Sequence, residues 1–400
     1  MNSTIRTTFR ALQYRNFRLF FAGQSISLTG TWMQTIAMSW LVYRMTGSAL
    51  LLGVVGFASQ IPTFILSPFA GVLADRYNRH RIIILTQTLS MVQAFILAAL
   101  TLTGVIAVWH IIALGIFLGC INSLDIPARQ SFLIEMVEKK EVLGNAIALN
   151  SAIFNAARLI GPTLAGILVA VVGEGICFLI NGISFLAVIV SLLLMKVKPR
   201  QIITERRHVL HELREGLVYA FGSASIRSIL FLLSIISMTG ISYVVLMPIF
   251  AKEIHHGGAH TLGVLMATVG LGALIGTLYL ASRKDHLKLE RFISVSSIIF
   301  AIGLIFFALS RVLWFSLLML VVTGFGFMVT TASCNTILQT NVDDDKRGRV
   351  MSLYTMAFMG MAPLGSLLAG ALADKLGAPD AVILGGMICL LSILIFAKRH

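Results

Sequence analysis

The sequence predicts an all-α membrane protein of twelve transmembrane helices, arranged as two pseudo-symmetric six-helix halves. The first observation is a series of about twelve apolar stretches along the 400 residues, each close to the roughly 20 residues that a helix needs to cross a bilayer. The second is that Lys and Arg are concentrated in every second gap between these stretches, as the positive-inside rule describes. The third is an internal repeat, in which residues 144–166 align with residues 348–370 without a gap.

The composition excludes an ordinary soluble protein. Hydrophobic residues make up 57% of the chain and charged residues only 12%, with a mean hydropathy of +0.91, whereas soluble domains carry about twice that share of charge. A net charge of +14 would suggest a nucleic-acid partner if the protein were soluble. Here the positive residues flank the apolar stretches, so we expect anionic lipid headgroups as their partners and no nucleic acid.

Each span is placed by an apolar stretch and the polar residues that bound it. The first stretch follows basic residues, as in a signal peptide, but it is too long for a signal-peptide core and lacks a clear cleavage site. We therefore interpret it as a span that is retained. The predicted spans are 17–43, 49–73, 81–103, 106–126, 143–171, 175–195, 227–250, 261–281, 292–309, 312–333, 349–372 and 380–397.

The distribution of positive charge predicts the topology. With the amino terminus in the cytoplasm, 26 of the 31 Lys and Arg residues lie in cytoplasmic segments or at the cytoplasmic ends of the spans. Four lie on the opposite side of the membrane, and Arg158 lies inside the fifth span. This asymmetry predicts a multi-pass protein of the bacterial inner membrane with both termini in the cytoplasm.

The longest polar gap divides the chain into an N-terminal half, 1–195, a cytoplasmic linker, 196–225, and a C-terminal half, 226–400. Within the linker, residues 205–221 alternate charged and apolar residues at helical spacing. This pattern favours an amphipathic helix on the inner membrane surface, with a plain solvated linker as the alternative. Duplicated halves suit alternating access, in which one bundle rocks against the other around a central site.

The loop between the second and third spans reads GVLADRYNRHR over residues 71–81. It resembles the loop motif of the major facilitator superfamily, although Asn78 stands where that motif has glycine; Asn also tolerates a left-handed backbone. The resemblance implies a latch that holds one access state by contact with the start of span eleven. An ordinary basic loop that only sets the topology is the alternative. The latch candidates are Gly71, Asp75, Arg76, Arg79 and Arg81.

The fifth span contains a Gly-Pro pair within the stretch ARLIGPTLAG, residues 157–166. This stretch resembles the antiporter motif of the same superfamily, with Gly161, Pro162 and Gly166 at its key positions. Small residues at helical spacing let two helices approach closely, and a proline bends its helix. The motif favours export, while generic helix packing explains the same small residues without implying a direction of transport.

Arg158 and Asp125 are the charged residues expected within the bilayer. A charge at the centre of a span costs roughly 2.5–3.5 kcal/mol on insertion scales, so Arg158 is expected to face water or a partner. We expect that partner in span four, which contains Asp125 and Arg129. If protons drive transport, Asp125 is the best proton carrier, with Arg129 and Arg158 as its coupling partners. A purely structural ion pair between Asp125 and Arg129 is the alternative.

Spans four and five together resemble one branch of the superfamily, through the stretches NSLDIPARQSF and LNSAIFNAARLIGP. This branch includes enterobactin exporters and macrolide efflux pumps, and the resemblance covers essentially the whole chain. Polar and aromatic residues within the spans are candidates for lining a substrate cavity, with bonds to neighbouring helices as the alternative. The cavity candidates are Gln24, Trp32, Gln34, Asn155, Tyr243, Asn335 and Tyr354.

Signals for other chemistries are absent from the sequence. It contains no nucleotide-binding loop of the GxxxxGKS or GxxxxGKT type and no evident hydrolase spacing, so we expect no enzymatic activity and no cofactor. The four cysteines stand alone in apolar runs without CxxC spacing. Three histidines cluster after span seven with Glu253 as the only nearby acid, so we expect a solvated loop and no metal site there.

These patterns predict a secondary active transporter that exports a small amphipathic molecule, such as a siderophore, a macrolide or another drug, by rocker-type alternating access. The proton is the expected coupling ion, membrane lipids surround the chain, and we expect a monomer. Two alternatives stay open. One is a lipid-like molecule transporter, a flippase or an importer, and the other is a membrane receptor or scaffold that transports nothing.

Overall fold

The computed structural model describes residues 9–137, 140–197, 218–282, 289–342 and 344–397. Within these ranges the regular elements are helices, and no strand occurs. A helix satisfies its backbone hydrogen bonds internally, which a lipid environment requires. The predicted all-α class is therefore confirmed.

In the part of the first half that the structure describes, six long helices follow one another. A short 3-10 helix, Arg10–Gln13, precedes them, and it is tied to the fifth of them because the backbone N–H of Ala11 donates to Asn145 Oδ1 at 2.9 Å. The six helices are α1 (Arg15–Thr46), α2 (Ala49–Arg76), α3 (Arg79–Leu102), α4 (Val108–Glu135), α5 (Lys140–Val172) and α6 (Glu174–Leu193).

Six further long helical segments follow within the described residues of the second half. They are α7 (Ala224–Ile254), α8 (Ala259–Ala281), α9 (Leu289–Leu309), α10 (Leu313–Asn341), α11 (Asp344–Met359 continued by Met361–Leu376) and α12 (Ala378–Ala397). These twelve segments follow the predicted spans in order.

The helix α7 is interrupted by two π-helical turns, Ile236–Gly240 and Phe250–Ile254. The first turn is in close contact with α11 and α12. A Cβ atom added to Gly365 would lie 2.2 Å from the carbonyl oxygen of Met238, and one added to Gly385 would lie 2.4 Å from that of Thr239. Glycine is therefore required where these helices meet the widened turn, a type of irregularity that is frequent at functional sites.

Among the described residues, eleven helices are long and apolar enough to cross a membrane. The remaining one, α1, has 32 residues and is long enough, but it is not among the eleven because Gln24, Gln34 and a series of Ser and Thr residues make it more polar. Length and composition therefore support a multi-pass membrane protein. They directly support eleven of the twelve predicted spans. The remaining span, α1, has a more polar sequence than the other eleven helices.

The described residues form two compact units. The first comprises residues 9–41 and 58–197, and the second comprises residues 42–57 and 218–397. Residues 42–57, the connection between α1 and α2 with its flanking turns, belong to the second unit. The division into halves at 1–195, 196–225 and 226–400 stays a prediction. The predicted amphipathic helix, 205–221, lies almost entirely outside the described residues.

The two units repeat one packing pattern. In the first unit α3 packs against α4 and α6, and in the second α9 packs against α10 and α12. Gly173 precedes α6 with φ 82°, and Gly377 precedes α12 with φ 92°; only glycine adopts this backbone without strain. The two glycines are separated by the same sequence offset as the ends of the internal repeat, so the duplication extends to the backbone of the connecting turns.

Asn78 begins α3 in a way that the sequence did not indicate. The sequence suggested that Asn78 replaces glycine in a left-handed backbone conformation. Its φ is −65°, so the backbone there is not left-handed. Instead, Asn78 is the N-cap of α3, and its Oδ1 atom accepts a hydrogen bond from the backbone N–H of Arg81 at 3.2 Å. Asn favours this position because its side chain satisfies one of the otherwise unbonded first N–H groups of a helix.

Candidate functional site

A buried ion pair lies within α4. Arg129 Nη2 is 2.9 Å from Asp125 Oδ2, one helical turn away, and the Asp125 side chain is 4% exposed while that of Arg129 is 24% exposed. Residues four apart lie on the same face of a helix, so the sequence itself brings the two groups together. The structure thus pairs Asp125 with Arg129, one of the two arginines proposed as its coupling partners.

Two side chains of α3 complete the surroundings of Asp125. Thr86 Oγ1 donates to Asp125 Oδ1 at 2.8 Å, and Gln87 Nε2 donates to the same oxygen at 2.9 Å. Thr86 and Gln87 are both buried. Neither residue was predicted to be functional, although polar residues recur on one face of α3 at Thr86, Gln87, Ser90 and Gln93. That polar stripe in an apolar span is the signal that could have identified them.

Arg158 lies beside aromatic rings of the first unit. Its guanidinium carbon is 5.7 Å from the ring centroid of Trp32 in α1, a distance within the range of a cation–π contact. The Trp32 ring in turn meets Phe154 edge to face at 5.8 Å. The expected partner of Arg158 was Asp125 or a neighbour in span four; the structure adds this contact with α1, and the Asp125 carboxylate is occupied by Arg129, Thr86 and Gln87.

The antiporter-like stretch brings α5 and α1 into close contact. A Cβ atom added to Gly161 would lie 2.5 Å from Trp32 Cβ and 2.9 Å from the carbonyl oxygen of Thr29. Pro162 and Gly166 are both buried within α5. Asn155, one turn before Arg158, is half-buried and donates through Nδ2 to the carbonyl oxygen of Ser151 at 3.0 Å. The small residues of this stretch thus set the position of Trp32 relative to Arg158.

The amide candidates of α1 are buried inside the first unit. Gln34 Nε2 donates to Gln93 Oε1 at 3.1 Å, and Asn181 Nδ2 donates to Gln34 Oε1 at 2.8 Å. The network therefore joins α1, α3 and α6. Gln24 is also buried. These positions favour the helix-packing interpretation of Gln24 and Gln34 over direct contact with a substrate.

The remaining cavity candidates belong to the second unit. Tyr243 is buried in α7, where its ring meets Phe307 edge to face at 6.3 Å. Tyr354 of α11 is half-buried and stacks on Phe358 at 6.2 Å, and Phe358 stacks on Phe327 of α10 at 6.0 Å. The three rings of Tyr354, Phe358 and Phe327, called here the aromatic ladder, connect α10 and α11.

Asn335 lies on α10, the helix that also carries Phe327 of the aromatic ladder. Its Oδ1 atom accepts a hydrogen bond from Gln339 Nε2, one turn later in the same helix, at 2.6 Å. Asn335 is half-buried. Its amide therefore offers polar groups on a helix that is otherwise mostly apolar, which keeps it as a candidate for substrate contact.

The loop motif is described in part. Arg79 Nη1 is 2.9 Å from Glu135 Oε1, so it joins the start of α3 to the end of α4. Arg76 and Arg81 are exposed. Gly71 lies within α2, and the side chain of Asp75 is outside what the structure describes. The latch therefore stays a prediction.

A second polar cluster connects residues 42–57 to α7. The Tyr43 hydroxyl donates a short hydrogen bond to the Glu253 carboxylate, and Lys252 Nζ lies 5.4 Å from the centroid of the Tyr43 ring. Close backbone contact accompanies these bonds, since a Cβ atom added to Gly53 would lie 2.6 Å from the carbonyl oxygen of Ser366 in α11. Sequence reasoning did not identify Tyr43, because its partner lies 210 residues away.

The histidines that follow α7 do not form a metal centre in the described part of the chain, where no group of three or more His, Cys, Asp or Glu side chains has the required arrangement. Burial, together with the charges of Arg311 and His256, lowers the pKa of the His255 imidazole below its ordinary value. A lowered pKa keeps this imidazole neutral over more of the physiological range.

The match to known families covers nearly the full chain. A family model described as "Transmembrane secretion effector" matches residues 6–400. The chain belongs to this family. The predicted membership of the major facilitator superfamily is thereby confirmed.

Several curated relatives of this secretion-effector chain are named as transporters. The staphyloferrin A transporter of Staphylococcus aureus is 27% identical over 385 residues, which cover 96% of each chain. The multidrug efflux pump Tap of Mycolicibacterium fortuitum is 24% identical and covers 87% of each chain. Macrolide efflux protein A of Streptococcus pyogenes is 21% identical and covers 94% of this chain and 96% of its own length. The chain is therefore a membrane transporter.

Solved structures support the fold at lower identity. A bacterial homologue of the human lysosomal transporter Spinster, in an inward-facing and occupied conformation, superimposes with a TM-score of 0.75 at 13% identity over 96% of this chain and 97% of its own. A POT family transporter in complex with 5-aminolevulinic acid gives a TM-score of 0.74 at 13% identity over 97% and 96%. Both matches support the helical fold of this secretion-effector chain.

Proposed function

We propose that the chain is a secondary active exporter that couples proton entry to the expulsion of a small amphipathic molecule, such as a siderophore, a macrolide or another drug. The observation that carries the proposal is Asp125, a carboxylate buried within α4 and bound by Arg129, Thr86 and Gln87. Buried acids within membrane spans are typical of proton relays in transporters. The direction rests on the relatives that are named as efflux proteins.

Each unit, taken by itself, carries an aromatic surface with polar groups beside it. In the first unit, Trp32 and Phe154 provide aromatic faces beside the guanidinium of Arg158. In the second, the aromatic ladder provides flat apolar surface, with Asn335 on α10 and the Tyr354 hydroxyl as polar groups. Mostly apolar walls with few polar groups are typical of small-molecule sites. We therefore propose Trp32, Arg158, Asn155, Asn335 and Tyr354 as substrate contacts.

The Trp32→Ala variant is expected to show roughly a tenfold loss of apparent affinity for a macrolide such as erythromycin. The reason is the loss of the indole face, since an aromatic contact contributes about 0.5–1.5 kcal/mol beyond its buried area and 1.4 kcal/mol is about tenfold in affinity. The Trp32→Phe variant keeps a ring and should lose less. The concentration dependence of erythromycin export in everted vesicles measures the effect.

A suitable control for that experiment is Trp109→Ala, because Trp109 stands at the start of α4 with its side chain 65% exposed. Its apparent affinity should equal that of the wild type. Equal losses in the two alanine variants, or an unchanged affinity in Trp32→Ala, would remove Trp32 from the proposed contacts.

The remaining parts of the proposal follow the charge pattern and the loop motif. We place the chain in the bacterial inner membrane as a monomer among membrane lipids, with both termini in the cytoplasm, as the distribution of Lys and Arg favours. Gly71, Asp75, Arg76, Arg79 and Arg81 act as the latch of one access state. Alternating access of two duplicated halves supplies the path.

Everted inner-membrane vesicles test the proposal directly. With an acidic interior, vesicles that contain the chain should accumulate erythromycin or staphyloferrin A above the level of vesicles without it, and accumulation should collapse with a protonophore. A flippase would instead move labelled lipid between leaflets without a gradient. An importer would accumulate substrate in right-side-out vesicles only. Either of these outcomes, without accumulation in everted vesicles, contradicts export.

A further inference from the structure

The side chains around Asp125 can form hydrogen bonds with its carboxyl group in both the ionised and the protonated form. We propose that Thr86 and Gln87 are the positioning residues that make this possible, by exchanging donor and acceptor roles as Asp125 changes charge. The inference rests on the proposed proton coupling and names the residues that control it.

The ionised form of Asp125 is fully satisfied by the bonds observed. Thr86 and Gln87 donate to Oδ1 at 2.8 and 2.9 Å, and Arg129 Nη2 lies 2.9 Å from Oδ2. An ionised carboxylate only accepts hydrogen bonds, so three donors suit it. Such charge-assisted bonds are about twice as strong as neutral ones.

Thr86 and Gln87 each also carry an oxygen atom that can accept a hydrogen bond from a protonated Asp125. Thr86 Oγ1 lies 3.0 Å from the carbonyl oxygen of Ile83 as well as near Asp125. A hydroxyl has a single hydrogen, so it donates to Ile83 or to Asp125 but not to both. Gln87 Oε1 is buried and has no hydrogen-bond partner among the described residues, which is a costly state for an amide oxygen.

Protonation of Asp125 reverses these bonds. A hydronium ion donates the proton: one of its O–H bonds breaks, one O–H bond forms on Oδ1, and a water molecule is released. The Thr86 hydroxyl then donates to the Ile83 carbonyl, so its oxygen accepts the new O–H; alternatively, a half-turn of the Gln87 amide presents Oε1 to the new O–H. Arg129 loses its anionic partner in the same step. Proton binding is thereby converted into the release of an ion pair within the membrane.

Charged groups of α3, α4 and α5 other than Arg129 have contacts of their own. Arg129 is the ion-pair partner of Asp125 among the described residues. On α3 and α4, Arg79 is paired with Glu135, and His80 Nε2 lies 2.8 Å from the Leu192 carbonyl oxygen. On α5, Arg158 lies over Trp32. The hydrogen bonds from α3 therefore act together with Arg129 on the balance between the two forms of Asp125.

Infrared difference spectroscopy of the full chain in liposomes, titrated with pH, measures this balance directly. The protonated carboxyl group gives a C=O band that the Asp125→Asn variant should lack. In Thr86→Val the ionised form loses a charge-assisted donor and the protonated form loses only a neutral acceptor. The midpoint of the band should therefore move to higher pH, by about one pH unit. Gln87→Leu should move it in the same direction, and Thr86→Ser should restore the wild-type midpoint.

Thr88→Val is the matched control, because the Thr88 hydroxyl on the same helix donates to the Ile84 carbonyl oxygen at 2.8 Å and has no bond to Asp125 among the described residues. Its midpoint should equal that of the wild type. An Asp125-dependent band with the same midpoint in Thr86→Val and Gln87→Leu, or an equal shift in Thr88→Val, overturns the inference and leaves proton coupling intact. A band that is absent from the wild type, or that persists in Asp125→Asn, overturns proton coupling at Asp125 and the inference with it.

Discussion

The Asp125→Asn variant is expected to lose proton-driven export while it keeps substrate exchange across the membrane. The amide that replaces the carboxylate cannot gain or lose a proton, so a pH gradient cannot bias the transport cycle. Exchange of labelled for unlabelled substrate needs no net proton movement and should persist if the fold and the substrate site are intact. Both quantities are measured in one preparation of everted vesicles, with erythromycin as the substrate.

Two controls separate coupling from folding. Removing one partner of a buried ion pair costs up to about 3–5 kcal/mol, so the single variant can be destabilised through Arg129, although the Arg129 side chain is 24% exposed. The double variant Asp125→Asn with Arg129→Gln removes the unpaired charge and should recover stability without recovering coupling. Asp380→Asn, which changes an exposed acid in the first turn of α12, should behave as the wild type.

Unchanged proton-driven export in the Asp125→Asn variant would contradict the coupling role of Asp125. If the Asp125→Asn variant accumulated erythromycin at the wild-type rate under a pH gradient, the Asp125–Arg129 pair would be structural. The coupling site would then have to be sought among the other acids of the chain, of which Glu253 in its contact with Tyr43 is the first to examine.

The spans and the ion pair were accessible from the sequence because their determinants are local. Apolar length and flanking charge decide where a helix crosses the bilayer, and α4 brings Asp125 and Arg129 together by helical spacing alone. The same holds for the internal repeat, whose register is preserved down to Gly173 and Gly377.

The residues that sequence reasoning missed depend on contacts between distant segments. Thr86 lies 39 residues from Asp125 and Tyr43 lies 210 residues from Glu253, and no local pattern specifies either pairing. The sequence places Arg158 within a predicted span, but its contact with Trp32 depends on how closely α5 approaches α1. The first π-helical turn of α7, Ile236–Gly240, likewise packs against α11 and α12, and no sequence pattern indicated it.

The Gly272→Ala variant is expected to lose much of the thermal stability of the protein. A Cβ atom at this position of α8 would lie 2.1 Å from the carbonyl oxygen of Val321 in α10. That atom belongs to the backbone, so the contact cannot be relieved by a side-chain rotation and the helices must separate. Overpacking of this kind costs about 1–3 kcal/mol, which corresponds to a fall of about 5 °C in the unfolding midpoint. Thermal unfolding of the detergent-purified chain, followed by intrinsic fluorescence, measures it.

Gly144→Ala is the matched control, because a Cβ atom at Gly144 in α5 would have no neighbour within 4 Å. It should be neutral or slightly stabilising, since alanine is the better helix former. The contact is reciprocal: a Cβ atom at Gly324 in α10 would lie 2.2 Å from the carbonyl oxygen of Val269 in α8. Once Gly272→Ala has forced the helices apart, Gly324→Ala should cost less than it does alone, so the double variant should fall short of the sum. Equal melting of Gly272→Ala and Gly144→Ala, or strict additivity in the double variant, would show that α8 and α10 do not meet backbone to backbone.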